Sequence, residues 1–262
     1  MSTDASNVIY DAIVIGAGPA GGTAALMLAR AGWSVALVEK RPFPRRKLCG
    51  EYLSATSLTV LRELGLGDAA TSLAGPEVRR AALFAGASEI VFPMPKLGNA
   101  IDDVWGRSIE REQLDFLLLK SAVSAGVNLW QPWSVTGLER GDQGWTCHLM
   151  CRKAKAALSA VLVIAACGSW ERGPVPVRPS GGHLPSDLLA FKGHFEDGDL
   201  PTDLMPLLAF PGGYGGMVHS GRRGLNLSCC IRRDVLADVR KPGGACAGDA
   251  VLRHITANSS AV

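Results

Sequence analysis

Gly16, Gly18 and Gly21 stand at the spacing Gly-x-Gly-x-x-Gly, and an acid, Glu39, follows Gly16 by 23 residues. Those residue types at that spacing bind the diphosphate and ribose of a dinucleotide. Gly16 permits a tight turn, Gly18 lets backbone approach a diphosphate with no side chain between, and Gly21 lets a helix pack closely on a sheet. Pro19 and Ala20 open that helix, whose amino end directs partial positive charge and amide hydrogens at an anion. Glu39, with Lys40 beside it, is placed to accept hydrogen bonds from a ribose hydroxyl. A carboxylate there repels a 2′-phosphate, which disfavours NADP in this site.

The elements that must hold these residues are readable around them. Ala12–Ile15 is short, apolar and branched, as a buried parallel strand is. A helix over Pro19–Arg30 carries an apolar stripe (Ala20, Ala24, Met27, Leu28) and stops at Gly32. Val35–Val38 is the second strand, ending in the acid. The periodicity then predicts a helix from Ser54 to Gly65, short strands over 76–105 ending at Asp102-Asp103, and an amphipathic helix over Ile109–Ala125. It also predicts a strand at Val127–Trp130, a strand pair at Val135–Glu139 and Trp145–Cys151, and a buried parallel strand at Ala160–Ala166. Residues 171–182, rich in Pro and Gly, are read as a crossing between lobes. Strand-like runs at Leu188–Phe195, Leu207–Phe210, Gly216–His219 and Leu225–Ile231 suggest an antiparallel sheet. A helix over about Ala245–Ala257 follows.

Composition bounds the function classes. With 262 residues, 47% hydrophobic and 19% charged, the chain reads as globular and large enough for two lobes. A net charge of +3 is too small to imply nucleic acid or an anionic membrane as partner. The longest apolar run, Ala156–Gly168, contains Ser159 and is short for a membrane span, so no transmembrane segment is expected. The first ten residues lack a basic stretch and do not read as a signal peptide. Seven scattered cysteines show no disulfide framework and point to a reducing, cytoplasmic setting. No His/Cys group has metal-ligand spacing, and alternation puts Cys147 and Cys151 on one strand face as small apolar residues.

The order of these pieces resembles the FAD-dependent oxidoreductases of the aromatic hydroxylase and geranylgeranyl reductase-like superfamily. Three stretches carry the resemblance: Asp11–Glu39, Arg111 in Ile-Glu-Arg-Glu-Gln-Leu-Asp, and Val161–Trp170. Lys47-Leu-Cys-Gly-Glu-Tyr-Leu-Ser54 is most similar to the geranylgeranyl reductase-like branch. One departure stands out: Cys167 occupies the position where the family has Asp, before Gly168.

The resemblance implies an α/β fold, with a Rossmann-like parallel-sheet FAD-binding lobe and an inserted, mostly antiparallel β substrate lobe. It implies boundaries at 8–75 and 106–170 for the FAD lobe and at 76–105 and 171–240 for the substrate lobe, with 241–262 as a C-terminal helix and tail. The flavin ring is expected where the lobes meet. FAD is the implied cofactor. Gly16, Gly18, Pro19, Ala20, Gly21, Glu39, Lys40, Arg111, Val135 and Gly168 are the implied cofactor residues, Val135 through backbone groups against the adenine. Core packing is an equal reading of Val135. The family's third motif, a strand followed by Gly-Asp-Ala-Ala and a helix, is expected to be missing. Gly248-Asp249-Ala250 sits inside a helical pattern with no apolar strand before it, so the chain reads as truncated ahead of that motif.

Several residues keep two readings. Cys49 is a thiol in a glycine-bearing loop that could touch substrate or flavin, or a buried inert cysteine; no other catalytic candidate emerges. Arg45, Arg46 and Lys47 either approach the phosphates or form a solvated loop. Gly212–Gly216 either line the substrate face or make a hairpin. His194 and His219 read as sheet residues. The expected function is an FAD-dependent oxidoreductase acting on an apolar or aromatic small molecule. Reductase and flavin monooxygenase are the leading forms, and halogenase ranks last because Trp-x-Trp-x-x-Pro is absent. An inert FAD-binding fragment and an NAD-dependent dehydrogenase are the rival classes. NAD(P)H or another electron donor, the substrate and the oligomeric state are not specified by the sequence.

Overall fold

The computed structural model describes residues 8–97, 104–168, 182–196, 198–221, 224–240 and 246–259. Asp102-Asp103, Trp170 and nearly all of the expected crossing at 171–182 lie outside the described residues. In chain order the first elements are β1 (Ile9–Ile15), α1 (Pro19–Arg30), β2 (Val35–Val38), β3 (Tyr52–Leu53), α2 (Ala55–Glu63), α3 (Gly67–Leu73), β4 (Glu77–Val78), β5 (Arg80–Ala85) and β6 (Ser88–Pro93). Next come β7 (Gly106–Ser108), α4 (Arg111–Ser124), β8 (Asn128–Trp130), β9 (Ser134–Gly141), β10 (Gly144–Cys151) and β11 (Ala154–Ala165). The last are β12 (Leu188–Phe195), β13 (Leu204–Phe210), β14 (Gly213–Ser220), β15 (Gly224–Arg232), α5 (Arg233–Arg240) and α6 (Ala247–Asn258).

Contacts divide the chain into two units, 1–46 with 112–181 and 47–111 with 182–262. The segments 47–75 and 106–111 therefore group by contact with the second unit. The reason is local pairing, since β3 and β4 both hydrogen-bond to β7.

The first unit is built on a six-stranded sheet in the order β8-β2-β1-β11-β10-β9. β8, β2, β1 and β11 run parallel, and β10 and β9 continue the sheet antiparallel. Ala12, Ile13 and Val14 have no solvent exposure, which is why the run is continuously apolar rather than alternating. On one face, Ile13, Ile15, Ala36, Val38, Cys147, Leu149 and Leu158 close a core. α1 and α4 come close at Gly22, where a Cβ would stand 3.1 Å from Leu118 Cβ.

β11 begins earlier than its expected start at Ala160, because its first half pairs with β10 from Cys151↔Ala154 to Trp145↔Ala160. Beyond Ala160 it pairs with β1 alone among the described residues. Val161 and Leu162 are accordingly 62% and 41% exposed, a correction to the expectation that this stretch is buried throughout.

The second unit holds a six-stranded sheet, β12-β15-β14-β13-β5-β6, antiparallel except for the β13–β5 pair. Alternation along β13 and β15 sends Leu204, Leu208, Phe210, Leu225, Leu227 and Ile231 to one face, where Leu236 of α5 and Val251 and Ile255 of α6 cover them. α3 and α5 are absent from the sequence expectations. α3 is short and buries a single residue, Ala70, so periodicity carries little signal there; α5 did carry one, because Val235, Leu236 and Val239 share the face that packs on the sheet. No helix among the described residues is long and apolar enough to cross a membrane.

Candidate functional site

The glycine turn lies between β1 and α1. Gly16 takes φ +100°, and its N–H donates to Val38 O at 2.8 Å. A Cβ there would sit 2.6 Å from Ala166 O, and one on Gly21 would sit 1.8 Å from Gly16 O. Both contacts are with backbone, so neither position accepts a side chain without moving the sheet. Gly18 is the N-cap of α1, Pro19 follows at its start, and no side chain caps the helix. Gly18 and Pro19 are half-buried and Ala20 is exposed, so the amino end of α1 presents its dipole and first amides without a competing side chain.

Glu39 is 5% exposed at the end of β2. Its Oε2 accepts the Ala17 N–H at 3.0 Å and its Oε1 accepts the Arg41 N–H at 2.9 Å. Arg45 Nη2 donates to Oε2 at 3.4 Å. A carboxylate offers about four lone-pair positions. With these three donors in place, one position remains for a further donor such as a ribose hydroxyl. Lys40 is exposed beside it.

In the basic loop Arg45 is buried rather than solvated. Its side chain is 9% exposed, with Nη1 3.4 Å from Asp115 Oδ2 and the guanidinium 4.7 Å over the Phe43 ring. Nε and Nη1 are buried and make no hydrogen bond among the described residues. Arg46, in contrast, is 78% exposed and lies 3.6 Å from Glu112. Asp115 is a residue that sequence reasoning missed. A signal was present, because it interrupts the apolar face carrying Leu114 and Leu118, and an acid on a buried helix face needs a cation or donor. It is fully buried.

The remaining expected residues are placed as follows. Val135 of β9 is half-buried and packs against the first unit's core. Gly168 follows Cys167 with φ +90° and open space where a Cβ would be. Arg111 is the first residue of α4 and half-buried, and its N–H donates to Glu51 Oε1 at 3.1 Å. Cys49 is half-buried, and its Sγ accepts the Glu51 N–H at 3.3 Å. Glu51 itself is 4% exposed, has φ +64°, and is ion-paired to Lys192. Left-handed backbone at a residue with a side chain costs on the order of 1–3 kcal/mol.

The glycines at 212–216 lie at the turn and first residues of the β13–β14 hairpin, the hairpin reading of this segment, and several are fixed by close packing. A Cβ on Gly213 would meet the Phe210 ring at 2.2 Å, and one on Gly215 would meet Cys229 Cβ at 2.8 Å. His219 bonds Leu200 O at 2.8 Å, as a sheet residue does. On the sheet face opposite α5 and α6, Leu83, Ile90, Phe92 and Tyr214 expose an apolar surface. Burial raises the Cys147 thiol to about 12 and the Cys229 thiol to about 11, the latter helped by Cys230. All seven cysteines are free, and no cluster of metal-ligating side chains occurs among the described residues.

The family model described as FAD binding domain matches residues 9–220. A menaquinone reductase of Mycobacterium tuberculosis is 34% identical over 129 residues, 49% of this chain and 30% of that one. A digeranylgeranylglycerophospholipid reductase of Thermoplasma acidophilum is 36% identical over 127 residues, 46% of this chain and 29% of that one. The matched part is thus about a third or less of the length of these curated relatives. Among solved structures, the myxobacterial chondrochloren halogenase, described as a variant of FAD-dependent halogenases, superposes with a TM-score of 0.78. It is 23% identical, and the match covers 96% of this chain and 58% of that chain, which establishes a shared fold.

Proposed function

This chain belongs to the FAD binding domain family, and from that premise we propose that it is an FAD-dependent oxidoreductase acting on an apolar or aromatic small molecule. The observation that carries the reading is Arg45. A nine-tenths buried guanidinium, ion-paired to Glu39 and Asp115 and with two nitrogens that make no hydrogen bond among the described residues, is suited to meet further acceptor oxygens.

The residues present fit FAD. Gly16 and Gly21 have no room for a side chain, and the amino end of α1, without a side-chain cap among the described residues, attracts the diphosphate. Glu39 retains room for one ribose hydroxyl, and Arg45 adds donors for phosphate or ribose oxygen. Bound FAD would supply hydride or oxygen-transfer chemistry, and the protein supplies binding, orientation and the surrounding electrostatics. The apolar surface of Leu83, Ile90, Phe92 and Tyr214 suits a substrate whose recognition rests on burial rather than charge.

Within that class we favour a reductase of the geranylgeranyl reductase-like type. The Cys49-Gly50-Glu51 segment supports it, as do two relatives named as reductases. Flavin monooxygenase is the second form, with NAD(P)H or another electron donor as co-substrate in either case. A reduced, cytoplasmic setting accords with seven free cysteines.

The test is a visible spectrum of the purified chain followed by titration with FAD and with NADH. Flavin absorption, or saturable quenching of FAD fluorescence, is the expected result. Tight NADH binding with no FAD uptake would overturn the reading.

A further inference from the structure

We propose that Glu51 is a positioning residue, a cap supplied from a distant loop that seats the first turn of α4 and thereby Arg111. The backbone at Glu51 is the first indication. A φ of +64° favours glycine or asparagine, yet the position holds a long charged side chain that is 4% exposed. What glutamate contributes there is its carboxylate, and the carboxylate is engaged at the helix start.

The first N–H groups of a helix have no partner within the helix. Glu51 Oε1 takes the Arg111 N–H at 3.1 Å, and the Glu51 carbonyl takes the Ile109 N–H at 2.9 Å. One residue thus accepts hydrogen bonds from two backbone donors on the approach to α4. The negative charge also complements the amino end of the helix dipole.

The other side of the loop is anchored to one sheet face. Lys192 of β12 pairs with the same Glu51 carboxylate. Ser228, opposite Lys192 in the β12–β15 register, donates to Cys49 O at 2.9 Å. Asn226, two residues earlier on the same face, donates to Gly50 O at 3.3 Å. Residues 49–51 are pinned by three side chains of β12 and β15, and Glu51 passes that placement to Arg111.

The effect on cofactor binding rests on the FAD reading and on Arg111 as a cofactor residue; the cap itself does not. Both parts are tested on the full chain by amide hydrogen exchange and FAD titration, with Glu51→Gly, Glu51→Gln and Arg111→Ala. Glycine relieves the left-handed backbone while removing the carboxylate. Glu51→Gly is expected to speed exchange at the Arg111 amide at least tenfold, leave exchange at Leu118 unchanged, and weaken FAD binding as much as Arg111→Ala does. Glu51→Gln keeps an acceptor oxygen and is expected to retain most of the Arg111 protection. Unchanged exchange at Arg111 in Glu51→Gly would overturn the cap. Equal acceleration at Arg111 and Leu118 would also overturn it, because that signals general loosening. If Arg111→Ala weakens FAD binding and Glu51→Gly does not, the functional consequence is overturned. If the unaltered chain takes up no FAD, the flavin reading falls, and the exchange at Arg111 still decides the cap.

Discussion

Arg45 Nη2 lies 3.4 Å from Glu39 Oε2, and both side chains are more than nine-tenths buried. The acid expected to face the cofactor's ribose is therefore half of a charge pair, and Asp115 on the far side of Arg45 makes it a triad of two anions and one cation.

Replacing Arg45 tests what this pair does. Arg45→Met removes the cation beside the buried Glu39 carboxylate, and such a loss costs about 3–5 kcal/mol of stability. FAD binding is expected to weaken by about tenfold or more, equivalent to about 1.4 kcal/mol. Arg45→Lys keeps a charge but not the planar fork, so it should recover part of the stability and less of the affinity. Urea denaturation and quenching of FAD fluorescence measure the two effects separately.

Gly21 and Gly32 should differ sharply on substitution by alanine. A Cβ at Gly21 would stand 1.8 Å from Gly16 O, a backbone atom that cannot rotate away, so Gly21→Ala is expected to abolish FAD binding and to cost about 3 kcal/mol or more. Gly32 has φ +87° but open space around it, so Gly32→Ala should cost only about 1–2 kcal/mol and leave FAD affinity intact. Thermal melts with and without FAD distinguish the two outcomes.

Thiol reactivity should follow burial. Cys147 and Cys229, pushed up to about 12 and about 11, hold almost no thiolate at neutral pH, whereas Cys246 is exposed. Brief alkylation of the native chain, read by peptide mass spectrometry, is expected to label Cys246 first. Cys147 and Cys229 should react only after denaturation. Early modification of Cys147 would contradict its placement in the sheet core.

Glu77 predicts an acid-side stability loss. A hydrogen bond from Arg79 holds its carboxyl below the ordinary value of 4.5; Arg107 adds to this, and partial burial opposes it. A carboxyl with a lowered folded-state pKa contributes stability at pH above its unfolded value. That contribution is lost as pH falls through the folded value. Glu77→Gln should therefore lower the thermal midpoint at pH 7 and lose less than the unaltered chain as pH drops below about 4.5. Parallel melting curves over that range provide the check.

Local pattern carried much of this protein. The strand at Val35–Val38 and the hairpin of β9 and β10 follow from local apolar patterning and turn glycines, and the bounds of the helix at Pro19–Arg30 from its proline start and glycine stop; its expected stripe was misplaced, since Ala20 and Met27 are exposed and Ala25 and Leu26 are buried. The glycine turn and its acid were legible for the same reason. What local pattern could not carry is the choice of distant partners. Nothing near Arg45 in the chain announces that it turns inward to Asp115, and nothing near Cys49 announces that Ser228 holds its carbonyl. The parallel pairing of β5 with β13 and the uncovered stretch at Val161–Leu162 are of the same kind. By itself the sequence determined the cofactor class and the glycine turn, helix and acid proposed to hold it. Tertiary structure decided which charges are buried together and which backbone donors they satisfy, because burial and pairing are set by the whole fold's packing rather than by spacing along the chain.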